Sequence, residues 1–308
     1  MILLCRNATT FGPQGELDEE AYRASLQRFV DAGLGVYMAS GGSGEGHSLS
    51  WDELGRVYRI GVEVCRGKVP VNSNQPEQHT AAASLVHARL AVEAGVDTVN
   101  IYGPAGWHGY RPTDGEYLTY FDRVLPEIQH PVALCPNPIL GYTVPAPVIA
   151  RICNRYRQVS ALNLSGISSD AYLVGLREEL DREVDIYVGH HASLNALAMG
   201  ASGLLGAEAN LIPGTFRRYL DLYEAGELEE LGRVYADITR VAQFVGRWKG
   251  GSPRWIKMAM RVFGLPGGEG GVREPYLMPP AEEIARFAEG AIALHVPEID
   301  DLARAAGS

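Results

Sequence analysis

Lysine is nearly absent from this chain of 308 residues. Lys68, Lys249 and Lys257 are the only three, and arginine supplies the other basic side chains. A mechanism that needs a lysine nucleophile therefore has three positions to draw on. Cysteine is sparse too. Cys5, Cys65, Cys135 and Cys153 contain no CxxC spacing, which counts against zinc-ribbon and thioredoxin-like sites. Scattered thiols of this kind suit a reducing cytosol and small buried positions. No apolar run approaches the ~20 residues that a transmembrane helix needs. Positive charge is in deficit, with a net charge of −10 and a pI near 5.3. Nucleic acid and anionic membrane both require a basic face, so neither is expected as a partner. The start, MILLCRNATTFGPQG, lacks a basic leader and a long apolar core. It reads as a first strand rather than a signal peptide, and a cytoplasmic location is expected.

What is present is a strand-then-helix rhythm. Strands are expected at 2–6, 35–40, 69–73, 97–102, 131–135, 159–164, 184–188 and 201–206. Between them, apolar residues at three and four spacing predict helices at 18–32, 50–66, 78–94, 114–127, 145–156, 168–181 and 192–199. Ser50 with Glu53 three residues on is a capping-box pattern. Gly33, Gly67, Gly95 and Gly200 sit where helices end. Eight alternating units predict an α/β fold, a (β/α)8 TIM barrel over 1–222. A doubly wound sheet would carry GxGxxG after the first strand; none is there, and no cofactor is expected. Segments 227–248, 252–263 and 280–305 predict a C-terminal helical extension, 223–308, packed on the barrel.

Barrel chemistry sits at the C-terminal strand ends. Those ends read ASGGSGE, NSNQP, NIYGPAGWHGY, CPNP, NLSG, GHH and GAEAN. In order and spacing, SGGSGEGHSLSWDE (40–53), VPVNSN, CPNP, VSALNLSG, YVGHHASLNALAMGASGLLGAEANLIPG and VREPYLMP (272–279) resemble the dihydrodipicolinate synthase / N-acetylneuraminate lyase family over nearly the whole chain. The resemblance implies a (β/α)8 barrel with C-terminal helices, assembled as a homo-oligomer, tetramer or dimer. It also implies aldolase-like chemistry. A sixth-strand lysine forms a Schiff base with a 2-keto acid, a fifth-strand tyrosine moves protons, and a GTTGE loop holds the carboxylate.

Carried over position by position, most of that machinery is replaced. Asn163 falls at the lysine, Cys135 at the tyrosine, Leu140 at an arginine of synthase members, and Gly42 and Ser43 at the two threonines. The family's PYY becomes GPAGWHGY. Gly41, Ser43, Gly44 and Glu45 match. Lys68 precedes the third strand, and Lys249 and Lys257 lie in the C-terminal helices, so no lysine is expected at a catalytic strand end. An amide cannot form an iminium. The expected function is a lyase-like enzyme acting on a small carboxylate-bearing oxo- or hydroxy-acid without a Schiff base. The reaction is aldol-type C–C cleavage or condensation, or hydration/dehydration. The alternative is a non-catalytic ligand-binding or regulatory relative that kept the pocket.

The remaining candidates come from side-chain chemistry. His190 and His191 offer general acid/base groups that titrate near neutral pH. Adjacent histidines on an extended segment point oppositely, so one at most faces the pocket. HxH and HxxxH spacings are missing, and no bound metal is expected. A solvated or helix-capping pair is the competing reading. Asn163 is a candidate for holding a substrate carbonyl or hydroxyl, or a developing oxyanion. Cys135 is a candidate nucleophile, against a plain buried side chain. Tyr110 is a candidate proton shuttle on the fourth loop, with His108 beside it as a substrate contact. Asn74 is a further substrate-binding candidate. The backbone of Gly41, Gly42, Ser43 and Gly44 is expected to form an anion nest. Glu45 reads as a helix-start residue. Arg6, Arg111 and Arg273 read as surface or structural, with Arg111 alone placed to reach the mouth.

Overall fold

The computed structural model describes residues 1–307 except 77, 107, 137, 168, 249 and 250. Eight strands form a closed parallel barrel in chain order: β1 Ile2–Cys5, β2 Gly35–Met38, β3 Val71–Ser73, β4 Thr98–Tyr102, β5 Val132–Cys135, β6 Val159–Leu164, β7 Asp185–Val188 and β8 Gly203–Gly206. β8 pairs back onto β1, so no sheet edge is left open. All eight expected strands are present. β3 begins two residues later than expected because Pro70 has no N–H for the ladder. Its carbonyl still accepts from Val36 N at 2.9 Å.

The crossover helices are α1 Glu19–Asp31, α2 Trp51–Cys65, α3 Ala81–Ala94, α4 Asp114–Val124, α5 Ala146–Arg155, α6 Asp170–Glu179, α7 Ser193–Ala198 and α8 Pro213–Ala225. The capping box on α2 is formed: Ser50 Oγ accepts from Glu53 N, and the Glu53 carboxylate accepts from Ser50 N. α8 is missing from the sequence reading for a physical reason. Its start, Ile212–Pro213–Gly214, carries no local capping side chain. The cap is tertiary instead. Glu298 accepts from the amides of Gly214 and Thr215 at 3.0 and 2.7 Å.

Four more helices follow: α9 Leu228–Val245, α10 Ser252–Val262, α11 Ala281–Ile292 and α12 Pro297–Ala306. The single helix expected over 280–305 is two. His295 takes a left-handed φ of 50°, and Pro297 cannot continue a preceding helix but is well suited to starting the next. Phe287 of α11 packs on Phe244 of α9 at 5.2 Å between ring centres. Burying each such ring contributes ~1.5–3 kcal/mol. Both rings belong to the same continuous core as the outward faces of the strands. No helix among the described residues is long and apolar enough to cross a membrane.

The strand alternation sorts side chains into two populations. Leu3, Cys5, Val36 and Met38 face the helices. Leu4, Tyr37, Tyr102, Cys135 and Leu205 form a separate, smaller cluster inside the barrel. That inner cluster is the floor on which the candidate site stands.

Candidate active site

A cavity of about 400 Å³ opens at the C-terminal end of the barrel. Arg6, Ser40, Gly41, Gly42, Glu45, His47 and Tyr102 line it from the barrel side, and Ser252, Arg254 and Tyr276 from the C-terminal segment. A larger hollow, about 510 Å³, lies among Ser160, Arg182 and Asp185 at the opposite end, where β6 and β7 begin. Barrel sites form at the strand C-termini, so the mouth cavity is the candidate.

The loop after β2 is wound tightly under this cavity. Ala39 adopts a left-handed φ of 55°. Ser40 Oγ then accepts from Gly44 N at 3.0 Å, and Ser40 O from Gly46 N at 3.1 Å. A side chain at Gly46 would place its Cβ 2.0 Å from Ala39 O, which is why glycine stands there. The expected nest at 41–44 is thereby reduced. The Gly44 amide is consumed by Ser40, while the amides of Gly41, Gly42 and Ser43 have no partner among the described residues. Ser43 is buried, and its hydroxyl donates to Ser252 Oγ at 3.2 Å.

Behind the loop lies a buried ion pair. Lys257 Nζ is 3.6 Å from Glu45 Oε1 and donates to Thr9 O and Gly271 O at 2.5 and 2.9 Å. Lys257 is on α10, as expected, but its ammonium reaches the loop after β1 and is fully buried. Burial pulls it down to about 8, with Glu45 opposing the shift. Burial likewise raises the Glu45 carboxyl, against Lys257 and the Arg273 amide. Arg273 itself is structural: it forks onto Glu53 at 2.9 and 2.7 Å and lies over the Phe11 ring. Lys68 donates to Val64 O at the far end of the barrel. Lys249 lies outside the described residues.

The floor is polar but neutral. Asn163 is buried at the end of β6, and its amide donates to Asn100 Oδ1 and, at 3.5 Å, to Cys135 Sγ. Asn100 in turn donates to Ser73 O. Cys135 Sγ lies 3.2 Å from Tyr37 Oη, and Tyr37 is hydrogen-bonded to Tyr102, which lines the cavity. A continuous chain thus runs from the cavity wall to Asn163. Burial drives the Tyr37 hydroxyl well above its ordinary range and the Cys135 thiol to about 11. With its N–H bonds spent, Asn163 keeps one buried acceptor, Oδ1, without a partner among the described residues.

Of the two histidines, His190 is half-buried, with Nδ1 3.7 Å from Glu208 Oε2 on the loop after β8. Burial lowers its basicity, Glu208 raises it, and His191 and Arg6 lower it further. His191 is exposed and meets the His190 ring edge-on at 5.5 Å. The pair lies on a 3-10 turn, His190–Ala192, not on an extended segment, so the two rings touch instead of pointing oppositely as strand alternation predicts. Among the described residues no cluster of three or more His, Cys, Asp or Glu is placed to hold a metal ion.

Asn163, Cys135, His190 and His191 are not among the residues that line the cavity, and the other candidates lie apart from it too. Tyr110 is exposed and hydrogen-bonded to Glu116. His108 is exposed on the same loop. Asn74 is buried, donating to Gln75 O at 3.2 Å. Arg6, expected in a surface or structural role, lines the mouth, whereas Arg111 is exposed, as a surface residue would be, and is not among the lining residues. Arg6 lies two residues beyond inward-facing Leu4, so strand parity carried that signal, as it did for Tyr37. Glu208 sits on a 3-10 turn, where no periodicity marks it.

A closed eight-stranded parallel barrel with a polar mouth places the molecule among (β/α)8-barrel proteins with a strand-end site. The chain belongs to the Dihydrodipicolinate synthetase family, whose sequence model matches residues 3–291. It is 26% identical over 283 residues to an uncharacterized DapA-like lyase of Rhizobium meliloti, covering 89% of each chain. It is 28% identical over 247 residues to the 4-hydroxy-tetrahydrodipicolinate synthase of Xanthomonas campestris, covering 78% of each. The fold matches dihydrodipicolinate synthase DapA-2 of Bacillus anthracis, with TM-score 0.83, 21% identity and coverage of 98% and 97%. It also matches the prophage protein YagE of E. coli K12, solved with pyruvate, with TM-score 0.85, 19% identity and coverage of 95% and 98%.

Proposed function

We propose that the protein is a lyase-like member of its family that acts on a small oxo- or hydroxy-acid without a lysine Schiff base. The observation that carries this reading is Asn163. It closes the strand that resembles the family's lysine strand, and it is held in a neutral hydrogen-bond network rather than poised as a nucleophile. Lys257 is sealed against two backbone carbonyls and Glu45, with no exposed surface through which a keto acid would reach it.

The roles divide by chemistry. The amides of Gly41, Gly42 and Ser43 receive a carboxylate. Asn163 Oδ1 accepts from a substrate hydroxyl. Tyr37 and Cys135, raised by burial, stay protonated at neutral pH, so the chain from Tyr102 passes a proton through hydroxyl and thiol groups without storing charge on them. Cys135 serves there as a hydrogen-bonding group rather than a thiolate nucleophile. His190, kept largely neutral by burial and oriented by Glu208, is the general base.

The test is incubation with pyruvate and borohydride, read by intact mass. An unmodified mass is expected, and a trapped adduct sinks the no-Schiff-base mechanism. A screen of oxo- and hydroxy-acids with product analysis then identifies the turnover. His190→Ala should lower that turnover by ~10²–10⁴-fold. The wild-type kcat/KM should fall on the acid side at a pH below histidine's ordinary value of ~6.5, because burial lowers this imidazole. Binding without any turnover would mark a ligand-binding relative instead.

A further inference from the structure

We propose that the mouth cavity is built for a small dicarboxylate, with Arg6 and Arg254 each taking one of its two anionic groups. The inference rests on the substrate reading above and sharpens it. Arg6 projects from the end of β1 into the cavity, and its Nε is buried with no hydrogen-bond partner. Among the described residues its guanidinium makes no ion pair or hydrogen bond. The protein does not treat its other half-buried arginines this way. Arg56 and Arg217 also have a buried Nε without a hydrogen-bond partner, but each pairs with a carboxylate through a terminal nitrogen, Glu19 at 3.2 Å and Asp221 at 2.6 Å; Arg273 forks onto Glu53, Arg28 donates to Asn210 O and Arg182 to Cys153 O. An unpaired guanidinium in a partly desolvated position is costly unless an anion completes it.

Arg254 stands on α10, across the cavity lining from the barrel strands. Its Nε donates to Leu277 O at 3.1 Å, which fixes the group and leaves its terminal nitrogens without a carboxylate among the described residues. Glu45, the one carboxylate in the described lining, is already engaged by Lys257 and by the Arg273 amide. Two positive charges therefore face the same space uncompensated, in a chain whose net charge is −10. A guanidinium binds a carboxylate through two parallel N–H bonds, so each arginine suits one end of a dicarboxylate. About 400 Å³ holds a compact acid rather than an extended one.

Calorimetric titration of wild type, Arg6→Gln and Arg254→Gln with 2-oxoglutarate and with 2-oxopentanoate tests this. The two acids share a chain length and differ by one carboxylate. The wild type should bind the dicarboxylate about tenfold to a hundredfold more tightly, as one charge-assisted hydrogen-bonded contact implies. Each substitution should cut that preference by about tenfold. Ligand-free Arg6→Gln should melt no lower than wild type, because it removes an unpaired charge. Equal wild-type affinities, an unchanged preference in Arg6→Gln, or a lowered Tm of that free variant would each overturn the inference while leaving the substrate reading standing. Failure of both acids to bind the wild type would overturn both.

Discussion

Two buried polar regions lie beneath the same mouth and are built on opposite terms. The floor, Asn163, Asn100, Cys135 and Tyr37, is neutral and holds together by hydrogen bonds between strands. The wall, Glu45 and Lys257, is charged and joins a barrel loop to α10. A neutral network loses about one hydrogen bond when a member is removed. A buried ion pair loses more, because the surviving partner is left charged in a poor solvent. The wall therefore stands to lose the most stability per residue. The floor is positioned to handle a substrate without an internal charge competing for it.

The sharpest way to break the comparison is Lys257→Met. It strands Glu45 and should cost ~3–5 kcal/mol in urea denaturation. Adding Glu45→Gln should restore most of that loss; a double variant as unstable as the single would show that the pair is not its source. Asn163→Ala should cost less, ~1–3 kcal/mol, by leaving Asn100 Oδ1 and Cys135 without their donor. A loss equal to that of Lys257→Met would erase the distinction between the two regions.

pH separates the regions without mutation. The folded pKa of Lys257, about 8, lies below its ordinary 10.5. Its contribution is present above the unfolded value and lost as pH falls through about 8, so stability should rise between pH 8 and 10.5. The slope is at most about 1.4 kcal/mol per pH unit. Glu45 is raised, so its contribution is present below 4.5 and lost as pH rises through its folded value. Melting curves of Glu45→Gln/Lys257→Met across this range should lack both limbs, and their persistence would assign them elsewhere. Tyr37→Phe is the mildest probe. It removes a hydroxyl that touches Cys135 and Tyr102 and should cost ~0.5–1.5 kcal/mol, with no change in the pH profile of stability between 5 and 9.

Much of the barrel was legible before any coordinates. Strand alternation and helix caps are local, and Ser50 with Glu53 forms the box that its spacing announces. Where a cap is tertiary, as Glu298 is for α8, the sequence is silent. The candidate site divides similarly. Asn163, Cys135 and His190 could be found from strand ends. Arg6 and Tyr37 shared that parity but were masked by their ordinary residue types. Tyr110 and His108 were drawn from a loop whose chemistry looked suitable, and the fold leaves both exposed; like Asn163, Cys135 and His190, they are not among the residues that line the cavity.

By itself the sequence determined eight strands alternating with helices, an amide next to the end of the sixth strand, and a shortage of lysines. Each is written in neighbouring residues and survives without knowledge of the rest of the chain. The tertiary structure alone decided that Lys257 would meet Thr9, 248 residues away, and be pulled toward neutrality behind Glu45. It alone decided that Arg6 and Arg254 would face one cavity. Charge energetics depend on burial and on long-range neighbours, and neither is encoded in local periodicity.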